Sequence, residues 1–392
     1  MGAATFIENI KGTDYATTTI YGSWWFSLLW ALLALLGVVY YFKSEASRKP
    51  EAWHSLSNWP RHCLHVSLVI ILVGAFITHV SSRSGRLHLH FGDTMTMYES
   101  NEKNGAPVDL GFTIRLDTFN IKCYKGTKEP RDFVSSVTVN HNGREEKAKI
   151  SMNHIYQKNG LRLYQTGYDP QDMSSILSVY DDPIGILTTY IGYGMLFLSF
   201  VLLMLKQIKS RGDIILYVAI TALLAWLIWF FDVRYLATHR VMPVLRTPLF
   251  GVHVGLMIVG YSLSAVIFLL SVVFLIHPSQ KLTRWCLRLL IPALGFTAGG
   301  IFVGAIWANV SWGRYWGWDP KETWALISWM VYAVPLHAKS LSGNYFSRFA
   351  TVTAGSWSSS LFLHLYLVAA LLFIAFTYFG VNALLTGLHS YG

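Results

Sequence analysis

Apolar runs of about 17–25 residues are each long enough to cross a bilayer as a helix, and this chain repeats them. They fall near 22–42, 63–80, 185–205, 213–231, 250–276, 289–309, 322–338 and 355–379. The expectation is a polytopic α-helical membrane protein with about eight transmembrane helices. The composition agrees, because a chain that is 53% hydrophobic and 13% charged is too apolar for a soluble domain of this length. A net charge of +10 suggests nucleic acid in a soluble protein. Here the Lys and Arg residues gather in short loops between apolar runs, so no nucleic-acid partner is expected.

Those loops orient the chain. Lys43, Arg48, Lys49 and Arg61, then Lys206, Lys209 and Arg211, then Lys281, Arg284 and Arg288, then Lys339 and Arg348 alternate sides with the remaining connections. By the positive-inside rule they are cytoplasmic. Both termini, the 81–184 segment, the 232–249 loop and the stretch from Trp307 to Pro320 then face outward, against Arg234, Arg240 and Arg246 in one outward loop. The expected localisation is the cell inner (cytoplasmic) membrane, multi-pass. Cys63, Cys123 and Cys286 are isolated, so the chain is neither a dithiol oxidoreductase nor itself a c-type cytochrome. No signal-peptide pattern opens it.

Residues 81–184 change period. Arg86-Leu87-His88-Leu89-His90-Phe91, Phe112-Thr113-Ile114-Arg115-Leu116 and Val134 to Val139 alternate, with turn signals at Gly92-Asp93, Asn142-Gly143 and Asn159-Gly160. Alternation broken by such turns predicts antiparallel strands. The expectation is an extracytoplasmic β-rich domain inserted between the second and third spans.

Six of the fifteen tryptophans lie between Trp307 and Trp329. A cluster of indoles beside a helix start is either an interfacial belt or a platform for a flat apolar ligand. The helix start is legible: Asp319 as N-cap, Pro320 at the first position and Glu322 three residues after the cap form a capping box. That helix joins the tryptophans to His337, roughly 25 Å away. Ionisable groups inside a membrane point to function. His65 and His337 fall at the cytoplasmic level, and His253 and His389 at the outer level. Two neutral imidazoles at either level are able to ligate a metal or a haem iron. His65 and His79, about 21 Å apart along one helix, leave a two-haem electron-transfer cytochrome as an alternative. The other histidines are taken as interfacial or hydrogen-bonded.

The run Trp312-Gly313-Arg314-Tyr315-Trp316-Gly317-Trp318-Asp319-Pro320-Lys321-Glu322-Thr323-Trp324 resembles the "WWD" signature of haem-handling proteins in cytochrome c maturation. Ala4-Thr5-Phe6-Ile7-Glu8-Asn9 through Trp24-Trp25-Phe26 is similar to the start of CcsB (ResB). Phe379-Gly380-Val381-Asn382 with Gly387-Leu388-His389-Ser390-Tyr391-Gly392 is similar to the end of CcsA (ResC). The chain therefore resembles a fused CcsB–CcsA protein, the System II type of cytochrome c synthase.

The resemblance implies a CcsB-like transmembrane part at 1–80, the β-rich domain at 81–184, a CcsB-like helix and linker at 185–211, and a CcsA-like assembly domain at 212–392. It implies export of haem b and its covalent attachment to an apocytochrome c bearing C-x-x-C-H, with thiol-reducing proteins as further partners. His65 and His337 match the transmembrane haem pair. His253 and His389 match the external, catalytic pair, with Trp312, Trp316, Trp318 and the signature's Asp319 in the haem-binding segment. A haem exporter without ligase activity would carry the same histidines. Two departures stand out: the soluble segment is shorter than is usual for CcsB, and Met1-Gly2-Ala3-Ala4-Thr5-Phe6 looks like the outer end of a first helix. The expectation is a missing upstream span or an N-terminus inserted outside.

Overall fold

The computed structural model describes residues 1–46, 59–101, 105–158, 160–337 and 357–385. The helices are α1 (Gly2–Lys11), α2 (Trp24–Ala46), α3 (Trp59–Ser81), α4 (Pro183–Gln207), α5 (Arg211–Trp229), α6 (Pro248–Ile276), α7 (Gln280–Trp312), α8 (Pro320–His337) and α9 (Trp357–Ala375). Their starts follow from local chemistry. Asp182 accepts from the Gly185 N–H ahead of Pro183, Ser210 forms a reciprocal box with Asp213, Thr247 caps ahead of Pro248, and Ser279 caps Lys281. Each cap satisfies amide groups that the first helical turn leaves without partners.

Among the described residues six helices are long and apolar enough to cross a membrane, or seven if Thr13–Tyr21 and Trp24–Val39, bent by 55°, form one span. The protein is thus a multi-pass membrane protein, with fewer clear spans than the eight expected. The expected run at 322–338 does form a helix, α8, but it is not among those spans. Lys321, Glu322, Ser328, Pro335 and His337 dilute its apolarity, and its hydroxyl side chains turn inward. Thr323 and Ser328 are buried, and the Ser328 and Thr377 hydroxyls meet at 3.0 Å.

Helix packing relies on small residues. A Cβ at Gly74 of α3 would sit 2.3 Å from Thr189 Oγ1 and 2.7 Å from the Thr189 backbone N of α4. At Gly260 of α6 it would sit 2.4 Å from Thr297 Oγ1 of α7. In lipid the association of helices gains little from the hydrophobic effect, so close backbone approach and dispersion carry it.

Between α3 and α4 stands the β-domain: β1 (Arg83–Leu89), β2 (Thr94–Ser100), β3 (Pro107–Cys123), β4 (Pro130–His141), β5 (Arg144–Ser151), β6 (Tyr156–Lys158), β7 (Leu161–Tyr168) and β8 (Ser175–Asp181). The sheet order is β5-β4-β3-β2-β1-β8-β7-β6, with every pairing antiparallel, as the alternation predicted. The β4–β5 turn places Asn142 and Gly143 at φ 51° and 79°, the left-handed pair that a tight hairpin requires. Leu87, Tyr98, Ile114, Val137, Ile150, Tyr156, Leu163 and Leu177 belong to one buried cluster. All eight strands feed one core, so the sheet rolls upon itself.

The domain is rooted in the bundle and also docked on it. Arg83 pairs with Asp181 where β1 leaves α3 and β8 enters α4. The Tyr124 hydroxyl donates to the Val241 carbonyl (2.8 Å), the Asn153 amide to the Pro243 carbonyl (3.0 Å), and Arg162 Nη1 to Asn309 Oδ1 of α7 (3.0 Å). Replacement of Gly74 by Val is expected to separate α3 from α4 and to cost about 1–3 kcal/mol. A lowered midpoint in thermal unfolding of the detergent-solubilised protein measures it.

Candidate functional site

The tryptophan segment is a loop between two helix ends. Helix α7 stops at Gly313, whose φ of 80° is left-handed and whose N–H donates to the Asn309 carbonyl (3.1 Å). A side chain there would also strike Tyr164 and Tyr180 of the β-domain, since a Cβ would lie 2.9 Å from Tyr180 and 3.0 Å from Tyr164. At the other end Asp319, buried, accepts from the Lys321 N–H (2.9 Å) as the expected cap. Glu322, its expected box partner, accepts from the Gly317 N–H (3.0 Å). Trp318 at φ 57° turns the chain through the left-handed region, and the acid spans that turn.

The indoles split into two groups. Trp318 stacks on Tyr21 (centroids 5.2 Å apart, planes 4° apart) and meets the edge of Phe26 at 5.0 Å. Trp316 stands at 87° to Trp318. Trp312 pairs with Trp307 at 6.3 Å, and Trp307 lies 5.9 Å from the ring of His253. Trp324 donates to Thr5 Oγ1 (3.1 Å) and Trp329 to the Leu294 carbonyl (3.1 Å), both in helix packing. Glu8 of α1 is buried, and burial pushes its carboxyl up against the opposing pull of the Thr13 hydroxyl.

His253 sits early in α6, two residues after Gly251, whose N–H donates to Asp232 Oδ1 (2.8 Å). Its Nδ1 meets the Gly300 carbonyl at 2.8 Å. A carbonyl only accepts, so Nδ1 carries the proton and Nε2 keeps its lone pair. Gly304 makes the room, because a Cβ there would lie 2.7 Å from that Nδ1.

At the opposite end of the bundle His65 and His337 come together from α3 and α8. Their ring centroids are 5.8 Å apart, whereas two metal–imidazole bonds of about 2.0–2.1 Å on opposite faces of one metal put centroids roughly 6 Å apart. Each is held as His253 is: His65 Nδ1 donates to the Arg61 carbonyl (2.8 Å) and His337 Nδ1 to the Ala333 carbonyl (3.0 Å). Tyr41 stacks on His65 at 5.0 Å. Other histidines are engaged differently. His364 has both ring nitrogens against hydroxyls, of Thr283 and Ser271, each at 3.0 Å. The Nε2 of His79 meets Ser27 at 3.3 Å. His389 lies outside the described residues. Among the described residues no group of three or more His, Cys, Asp or Glu side chains is arranged for a metal ion.

Residue reading missed Tyr315, whose hydroxyl donates to Thr78 Oγ1 (3.0 Å), which in turn donates to Asp182 Oδ2 (2.6 Å). It missed Tyr41 and Gly304 as well. The local sequence carries no signal for these, since each matters through a partner far along the chain.

Fold and site together define a polytopic helical membrane protein with a docked β-domain and histidines presented at both ends of its bundle. Comparison with known proteins agrees. The model of the Cytochrome C assembly protein family matches residues 186–389, more than half of the 392-residue chain, and that of the ResB-like family matches 54–184. The chain belongs to the cytochrome c assembly protein family, with a ResB-like part joined ahead in the fused CcsB–CcsA order. A cytochrome c biogenesis protein CcsA of Chlamydomonas reinhardtii is 35% identical over 164 residues, covering 38% of this chain and 42% of the relative. Those of Trachelium caeruleum and Triticum aestivum are 41% and 42% identical over 113 and 118 residues, covering 29% of this chain and 31% of each relative. The chain spans less than half the length of these curated relatives.

Replacement of Gly304 by Ala is expected to push the His253 imidazole off the Gly300 carbonyl. Nitrogen NMR of labelled histidine should show loss of the Nδ1–H tautomer.

Proposed function

We propose that this protein moves haem across the membrane and joins it covalently to apocytochrome c. The observation that carries the reading is the His65–His337 pair, with centroids 5.8 Å apart at the end of the bundle away from the β-domain. Both imidazoles keep Nε2 for iron, because backbone carbonyls hold their Nδ1 protons. By the charge of its flanking loops that end is cytoplasmic. Haem enters there, is ligated by His65 and His337, and passes to an outer site ligated by His253 and His389. The outer site is bordered by the loop of Trp312, Trp316, Trp318 and Asp319.

At the outer site two reduced thiols of a C-x-x-C-H motif meet the two vinyl groups. Each S–H adds across one C=C bond: sulfur bonds the inner vinyl carbon, the hydrogen goes to the terminal carbon, and the π bond is lost. No oxidant or reductant is consumed in that step. Thiol-reducing partners keep the cysteines available beforehand. The protein contributes positioning and axial ligation. The client's own histidine then displaces one external ligand and releases the product.

The purified chain tests the reading. A reduced spectrum with bound haem, followed by covalent haem on an added apocytochrome C-x-x-C-H peptide, is the expected result. Bound haem that never becomes covalent would favour an exporter without ligase activity. Haem stably retained and exchanging electrons with a quinone would favour the electron-transfer alternative. In the double variant H253A/H389A, outer-site haem and cytochrome maturation should both be lost, and added imidazole should restore part of each. Normal maturation with an unchanged spectrum would overturn the external-ligand assignment.

A further inference from the structure

A second pair of histidines lies on the β-domain, away from both sites above. His88 and His90 are alternate residues at the end of β1, so their side chains leave the same face of the sheet, and both are exposed. β1 begins just after α3, so at roughly 3.3 Å per residue the pair stands about 23 Å beyond the membrane end of the domain. Facing them is the loop before β8. His88 Nε2 meets Ser174 Oγ at 2.6 Å, and His90 Nδ1 meets Asp172 Oδ2 at 2.7 Å. Met173 between the two loop residues has a φ of 56°, a left-handed value uncommon for such a side chain. That turn aims Asp172 and Ser174 the same way.

The proton inventory is determined by one carboxylate. Asp172 accepts from the Ser174 backbone N–H (2.9 Å) and faces the His90 Nδ1. An ionised carboxylate only accepts. The His90 Nδ1–H donates to Asp172, and the Ser174 hydroxyl offers a lone pair to the His88 Nε2–H. Each imidazole then has one nitrogen held by this loop, with His88 Nδ1 and His90 Nε2 as the lone-pair donors of the arrangement. Imidazoles oriented by a carboxylate or a hydroxyl in this manner are the common form of metal-ligating histidine. Their centroids are 4.5 Å apart, against the roughly 5 Å that two bonds of about 2.0–2.1 Å give at a tetrahedral angle.

We propose that His88 and His90 form a binding site for a divalent transition-metal ion, with Asp172 and Ser174 as positioning residues and water completing the coordination. Two imidazole nitrogens suit copper(II) and zinc, copper(II) being the tighter by the Irving–Williams order. The site rests on the β-domain alone and is independent of the haem reading.

Copper(II) titrated into the full chain in nanodiscs, followed by electron paramagnetic resonance, tests it. The chain holds 14 histidines, so the difference between variants is what counts. The intact protein should show one saturable signal with hyperfine coupling from two nitrogens. That signal should be lost in H88Q/H90Q and should persist in H253A. D172A should weaken binding about 10–100-fold while keeping the same spectrum. An unchanged signal in H88Q/H90Q, or uptake in the intact protein that never saturates, overturns the site. Equal affinity in D172A and the intact protein overturns the role given to the carboxylate.

Discussion

The hydrogen-bonded chain from Asp182 through Thr78 to Tyr315 joins three pieces of this protein. Asp182 is buried at the junction of β8 and α4 and caps α4 through the Gly185 N–H. Thr78 sits near the end of α3, and Tyr315 in the middle of the tryptophan loop. A buried carboxylate is costly unless every oxygen is occupied. Here one oxygen takes the helix amide and the other the Thr78 hydroxyl. The stem of the β-domain, the α3–α4 pair and the loop after α7 are thereby held in one arrangement. Arg162 to Asn309, and Asn309 to the Tyr190 hydroxyl (2.6 Å), tie the same regions from the other side of α7.

From that frame the histidines acquire their chemistry. An imidazole offers iron a lone pair only at the nitrogen that lacks a proton. For His65 and His337 the carbonyl one helical turn earlier selects that nitrogen, whereas for His253 the selecting carbonyl, Gly300, belongs to the neighbouring helix. The His253 arrangement survives only because α6 and α7 pack closely at glycine positions, where a methyl group at Gly304 would occupy the space of the ring. The same close packing that lets helices associate in lipid thus also orients the His253 ring.

Much of this was legible in the chain itself. The apolar runs announced the bundle, the alternation between 81 and 184 announced antiparallel strands, and Asp319-Pro320 announced the start of α8. The count of spans was less legible, because α8 has the length of a span but spends its polar residues on partners inside the bundle, which hydropathy along a line does not register. The Glu322 contact with Gly317 was not legible either, because it depends on the left-handed turn at Trp318. The tryptophans, alike in sequence, part company in space. Trp318 is stacked on Tyr21, while Trp312 joins Trp307 on the side of His253.

The sequence by itself determined what must be embedded in lipid, what must stand outside it, and where helices and turns begin, because these depend on side-chain polarity and on backbone needs within a few residues. Only the tertiary structure decided which histidines meet, which indoles lie on the side of His253, and which hydroxyls bridge the β-domain to the bundle. Those pairings join positions as distant as His65 and His337, or Thr78 and Tyr315. They follow from how closely whole helices approach, and that distance depends on glycines whose partners lie on another helix.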